Sequence, residues 1–141
     1  MSQVEYIFFD IGGTLGERDA ATNKLVLFPS TMAFLERLRD TVTVRMGIIT
    51  TLGVLSNIQG QALLQEAGVW SFFDPNGFVS EHDVGGVAKP HPLIFQFAAQ
   101  QVRVPISHCL SVGENLLEVI GAQVAGMRGL LKPVPPGREL G

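Results

Sequence analysis

An aspartate, Asp10, closes the apolar run Tyr6 to Phe9 and is followed at once by Gly12, Gly13 and Thr14. A carboxylate at the carboxyl end of a buried strand sits where open α/β sheets bind their ligands. Three further stretches offer groups that complement it. Thr50 and Thr51 close the apolar stretch Arg45 to Ile49, and their hydroxyls can donate to a phosphate oxygen. Lys89, in VAKPHP, stands at a rigid junction before a helix start, a place suited to a fixed positive charge near an anion. Glu114 follows Gly113 after another apolar run, and Glu118, four residues on, shares one helical face with it. A carboxylate nucleophile, a hydroxyl donor, a lysine and further carboxylates are the parts of phosphoryl transfer through an aspartyl phosphate. Mg²⁺ would screen the acids from an incoming phosphate.

Those groups need elements to bring them together. Continuous apolar runs recur at Val4 to Phe9, Val42 to Ile49, Gly77 to Val79, Cys109 to Val112 and Gly129 to Leu131, and read as strands buried on both faces. Between them lie stretches with helical spacing: Met32, Leu35, Leu38; Ile58, Ala62, Leu63, Ala67; Ile94, Phe97, Ala98; and Leu116, Ile120, Val124. Strand alternating with helix predicts right-handed crossovers and a three-layer α/β/α fold around a mostly parallel five-stranded sheet. Ser30 after Pro29, and Pro90 and Pro92 ahead of Leu93, mark helix starts. Gly16 to Leu27 lacks helical spacing and reads as a small hairpin or flap over the end of the first strand.

At 141 residues and 46% hydrophobic composition, the chain has the size of one domain with a full core, assigned to residues 1–131. The Pro- and Gly-rich stretch 132–141 reads as a flexible tail. The net charge of −3 comes without a Lys/Arg cluster, so the footprint of a nucleic-acid binder is missing. No apolar run approaches the ~18 residues of a membrane span, and the N-terminus lacks the lysines of a signal peptide. A soluble, cytoplasmic protein is expected. Cys109 is the only cysteine and lies in an apolar run, which assigns it to core packing in a reducing compartment. His82, His91 and His108 show no metal-binding spacing. Trp70, Phe72 and Phe73 read as a core or subunit-contact cluster.

Taken in order, four of these stretches resemble the haloacid dehalogenase (HAD) superfamily of hydrolases. FFDIGGTL resembles the family's first motif, an apolar strand followed by DxDxT. Thr50 falls on the second, a Thr or Ser ending the next strand. Lys89 matches the third, a lysine in a KPxP context, and VGENLLEVIGAQVAGM is similar to the fourth, VGDxxxD running into GAxxAGM. The resemblance implies a Rossmann-like core and a Mg²⁺ cofactor held by Asp10, Gly12, Glu114 and Glu118. It further implies Asp10, Thr50 and Lys89 as catalytic residues, with substrate contacts at Ile11, Gly12, Thr50, Thr51 and Lys89.

Two departures stand out. Phosphatases of the family carry at position 12 an aspartate that protonates the leaving oxygen and later activates water. Losing such a group typically costs ~10² to 10⁴ in rate. Gly12 keeps the backbone carbonyl that the family uses as a Mg²⁺ ligand. The acidic positions 114 and 118 hold glutamates, longer than the usual aspartate by one methylene, ~1.5 Å of reach. Asp10 and Thr50 lie 40 positions apart and Thr50 and Lys89 39, too close for the cap domains the family inserts there. The resemblance therefore implies a capless, open site. Such a site suits a large phosphorylated substrate, or a small one enclosed by a second subunit of a homo-oligomer. The leading expectation is a Mg²⁺-dependent phosphatase slowed by Gly12 and favouring aryl or acyl phosphates. The alternatives are a catalytically inactive HAD-fold binding protein and a dehalogenase-like hydrolase.

Overall fold

A computed structural model describes residues 3–132 of the chain. In chain order its first elements are strand β1 (Tyr6–Phe9), strands β2 (Gly16–Arg18) and β3 (Leu25–Leu27), helix α1 (Thr31–Thr41) and strand β4 (Arg45–Thr50). Helix α2 (Asn57–Glu66), strand β5 (Phe78–Ser80), helix α3 (Pro92–Val102), strand β6 (Cys109–Gly113), helix α4 (Leu116–Ala125) and strand β7 (Arg128–Leu131) follow. The sheet runs β5-β4-β1-β6-β7 with every pairing parallel, while β2 and β3 form a separate antiparallel hairpin. This is a Rossmann-like α/β core. Its central strand, β1, is buried at all four positions, as a strand covered on both faces must be.

Side chains alternate across β1, so Ile7 and Phe9 enter one core layer with Leu35 of α1 and Leu64 of α2. Tyr6 and Phe8 enter the other, with Ile94 and Phe95 of α3 and Ala122 of α4. Cys109 lies buried in this second layer, where burial, and secondarily the charge of Glu5, pushes its thiol up to about 11. Phe73 joins the first layer, and Trp70 meets Phe78 edge to face at 6.0 Å. At the far end of the sheet from Asp10, the buried Tyr6 hydroxyl donates to Asp74 Oδ2 at 3.0 Å. Burial first, and Asp74 beside it, hold that phenol protonated well above its usual range.

Element boundaries and helix faces differ from the sequence pattern for identifiable reasons. The run from Val42 starts its strand only at Arg45, because Val42 N–H still closes α1 onto the Leu38 carbonyl. The first strand likewise starts at Tyr6 rather than Val4. On α4 the stripe Leu116, Ile120, Val124 is exposed, and Val119, Gly121 and Ala122 face inward. Gly121 lies so close to the Pro90 backbone that a Cβ there would collide with the Pro90 carbonyl. Close approach through small residues thus sets the helix rotation and turns the larger apolar side chains outward. Ile58 of α2 is exposed for a similar reason, because Gly60 meets Leu52 and Phe78 across the contact.

The hairpin expected over Gly16 to Leu27 is present, tied to the β1 end by a Gly12–Gly16 bridge and by Phe28 N–H donating to the Leu15 carbonyl at 3.0 Å. Of the stretch read as a tail, Lys132 donates its N–H to the Gly113 carbonyl at 2.7 Å and its ammonium to the Thr14 carbonyl. Residues 133–141 lie outside the described residues. No helix among the described residues is long and apolar enough to cross a membrane.

Candidate active site

Because the strands are parallel, their carboxyl ends share one edge of the sheet. Asp10 follows β1, Thr50 ends β4, and Gly113 ends β6 just before Glu114. An open cavity of about 250 Å³ at this edge is lined by Asp10, Gly12, Thr50, Thr51, Lys89, Glu114, Asn115 and Glu118. Of the residues expected from the sequence only Ile11 is not on its wall. Ile11 lines the adjoining hollow, and its N–H donates to Asp10 Oδ1 at 2.8 Å.

Lys89 organises the charges. Its ammonium, on a side chain only 4% exposed, lies 2.9 Å from Asp10 Oδ1, 2.9 Å from Glu118 Oε1 and 3.0 Å from the Ile49 carbonyl. Three acceptors match the three protons of the group, which is what a buried ammonium requires. Asp10 Oδ1 is thereby fixed by the Ile11 N–H and by Lys89, while Oδ2 is bonded to none of the described groups. Thr50 is 4% exposed, yet its hydroxyl bonds no described residue, and Thr50 lines the cavity.

The turn after Asp10 is shaped by its glycines. Gly13 has φ +78°, and the Glu114 side chain packs over it where a Cβ would stand. Gly12 differs, because a Cβ there would meet nothing within 4 Å. Asn115 caps α4, its side chain accepting from the Glu118 N–H at 3.2 Å, and so sets where Glu118 leaves the helix.

Three residues at or beside the cavity are not marked out by the sequence. Asn115 is an ordinary cap by composition. Arg18, on the hairpin, has no motif around it. Glu81 is buried, and its two oxygens accept from the N–H groups of Leu52 and Gly53, each at 2.8 Å. Burial alone would raise its pKa, but these two backbone donors hold the carboxyl below the usual glutamate range. Glu81 thereby fixes the loop that follows Thr50. The local signal is the capping box from Ser80 to Asp83, while the partners lie nearly thirty residues upstream.

The histidines lie elsewhere. His82 contacts the Leu55 carbonyl, His91 caps α3, and His108 pairs with Glu5. Among the described residues no three carboxylates, imidazoles or thiols are gathered closely enough to hold a metal ion. The donors around the cavity nonetheless suit Mg²⁺ in kind, as hard oxygens that include the carboxylates of Asp10, Glu114 and Glu118. A dianionic phosphoryl group entering this cavity comes close to those carboxylates, and a cation between them would offset the repulsion.

This chain belongs to the haloacid dehalogenase-like hydrolases: residues 16–126 match that family. The matched span carries Thr50, Lys89, Glu114 and Glu118 and begins after Asp10 and Gly12. Among curated proteins, none matches the chain in sequence. Solved structures share its fold. An uncharacterized protein from Corynebacterium glutamicum is 20% identical with a TM-score of 0.69, over 97% of this chain and 90% of that one. A HAD family hydrolase from Deinococcus radiodurans, crystallised with bound phosphate and sodium, is 18% identical with a TM-score of 0.68, over 96% and 84%. A predicted phosphoglycolate phosphatase from Haemophilus somnus is 16% identical with a TM-score of 0.73, over 93% and 86%.

Proposed function

We propose that this hydrolase is a capless, Mg²⁺-dependent phosphatase that acts through an aspartyl phosphate on Asp10 and favours aryl or acyl phosphates. The observation that carries the reading is the asymmetry of Asp10. Oδ1 is held by the Ile11 N–H and Lys89, while Oδ2 and the Thr50 hydroxyl, two groups of one cavity, have no hydrogen-bond partner among the described residues. Phosphoryl chemistry is further supported by the phosphate in the Deinococcus neighbour and by the phosphatase named for the Haemophilus one.

In the first step Oδ2 attacks phosphorus, the bond from phosphorus to the leaving oxygen breaks, and its electron pair departs on that oxygen. Thr50 and Lys89 hold the non-bridging oxygens. Lys89 already serves three acceptors, so a phosphoryl oxygen takes the place of Glu118, the carboxylate partner more open to water. In the second step water attacks phosphorus, its proton passes to solvent, and Asp10 leaves as a carboxylate with release of phosphate. Asp10, the Gly12 carbonyl and Glu114 would hold Mg²⁺, which when bound neutralises the charge between carboxylate and phosphoryl group. Between Asp10 and Lys89 the described chain contains only the hairpin, α1, β4, α2, β5 and short turns, and this supports an open site. The single buried thiol fits a cytoplasmic setting.

Gly12 favours a second reading, a catalytically inactive member that binds phosphorylated ligands. The assay that separates the two is release of phosphate from phenyl phosphate in Mg²⁺. Release above the rate of the Asp10→Asn protein, abolished by a chelator, is expected. Equal rates for the two proteins overturn the catalytic reading, and retained ligand binding by Asp10→Asn then leaves the second.

A further inference from the structure

Beside the cavity at Asp10 lies a second hollow of about 140 Å³, and Gly12, Thr50 and Thr51 line both. Its remaining walls are mainly leucines: Leu25 from β3, Leu52 and Leu55 from the loop after β4, and Leu63 from α2. An aliphatic hollow of this size holds a single benzene-sized ring. The side chain at the junction of the two spaces is missing altogether, since Gly12 has no neighbour within 4 Å of where its Cβ would be. The residue that departs from the family pattern therefore leaves the passage between them open.

One charged group lines the hollow, Arg18 of β2. Its guanidinium donates to Asn23 Oδ1 at 3.4 Å and forms no ion pair with a carboxylate of the described residues. The hairpin positions its backbone, paired with Leu25 of β3. Asp19 and Lys24 close the turn beyond it, with Asp19 N–H donating to the Lys24 carbonyl at 2.8 Å and the Thr22 hydroxyl to Asp19 Oδ2 at 2.7 Å. The hairpin base is bridged to the Asp10 turn at Gly12 and Gly16. A planar guanidinium at the edge of an apolar hollow, with no carboxylate partner among the described residues, can pair with a carboxylate or similar planar anion.

We infer that this hollow receives the leaving group, and that the substrate is a phosphate ester or acyl phosphate whose leaving group is about one ring in size, apolar in body, and bears an anionic group that pairs with Arg18. This rests on the reading of Asp10 as the nucleophile, because only then does the hollow lie beside the leaving oxygen. Specificity then comes from the hairpin and the loop after β4.

The test compares phenyl phosphate with 3-carboxyphenyl phosphate, which differ by the anionic group. For the unmodified protein, KM for the carboxylated ester is expected to be about 10-fold lower, the worth of one charge-assisted pairing. Arg18→Gln should erase that difference, raising KM for the carboxylated ester to the value for phenyl phosphate. The inference is overturned if the unmodified protein does not distinguish the two esters, or if Arg18→Gln impairs both equally. Calorimetric titration of both esters into the Asp10→Asn protein, with and without Arg18→Gln, separates this inference from the one it rests on. A preference for the carboxylated ester that disappears with Arg18 upholds the assignment even where no turnover is seen. Turnover without any such preference leaves the catalytic reading standing and removes this one.

Discussion

Position 12 is an ordinary backbone position with an empty volume above it: its φ lies outside the left-handed region, and no atom stands within 4 Å of the point a Cβ would occupy. Glycine is not demanded there by conformation or by packing, in contrast to Gly13, whose Cβ would strike Glu114. An aspartate can therefore be introduced without strain, next to the cavity that holds Asp10 and Lys89. Gly12→Asp is expected to raise turnover of alkyl phosphates by ~10² to 10⁴, the usual worth of a positioned acid/base. Aryl phosphates should gain less, because a phenolate departs without needing a proton. Steady-state rates on one substrate of each kind check this, and an unchanged alkyl phosphate rate contradicts the assignment of the missing acid to this position.

The elements that position the site are held by contacts distant in sequence, and Glu81 shows the consequence. Its carboxylate reaches from the turn after β5 to the two N–H groups that follow Thr51, so the loop beside the cavity is fixed by an anion. A glutamate whose pKa is depressed in the folded state adds stability that is present above its ordinary value and is lost as pH falls through the depressed one. Melting temperature should accordingly fall on acidification below the ordinary glutamate range. Glu81→Gln should melt lower at neutral pH and lose part of that acid dependence, as a series of thermal melts across pH would show. A variant with the same acid profile as the unmodified protein contradicts this role. The contact is illegible in the sequence because neither periodicity nor local spacing links residue 81 to residues 52 and 53. The face of α4 misleads for a related reason. A stripe of large apolar residues gives the stronger pattern, but Gly121 against the Pro90 backbone decides which side packs.

At the scale of the whole molecule, the order of strands and helices and the convergence of Asp10, Thr50, Lys89 and Glu114 on one sheet edge are legible in the sequence. Parallel strands buried on both faces read as continuous apolar runs, and their carboxyl ends share one side wherever the crossovers are right-handed. What the sequence does not reveal is the state of the charges. Glu118, expected on a metal, is paired with Lys89, and Lys89 has all three protons engaged. Nor does it reveal Arg18, whose position depends on a hairpin of two three-residue strands.

The same arrangement sets an order of rates. With nothing at position 12 to activate water, breakdown of an aspartyl phosphate should be slower than its formation from a good leaving group. Rapid mixing of the protein with an aryl phosphate in Mg²⁺, followed by quenching and mass analysis of the peptide that contains Asp10, tests this directly. A burst of about one phenol per protein molecule is expected, with a matching phosphoryl adduct on Asp10, both absent from Asp10→Asn. Hydrolysis that proceeds linearly from the first turnover, with no adduct on Asp10, would contradict the aspartyl phosphate route.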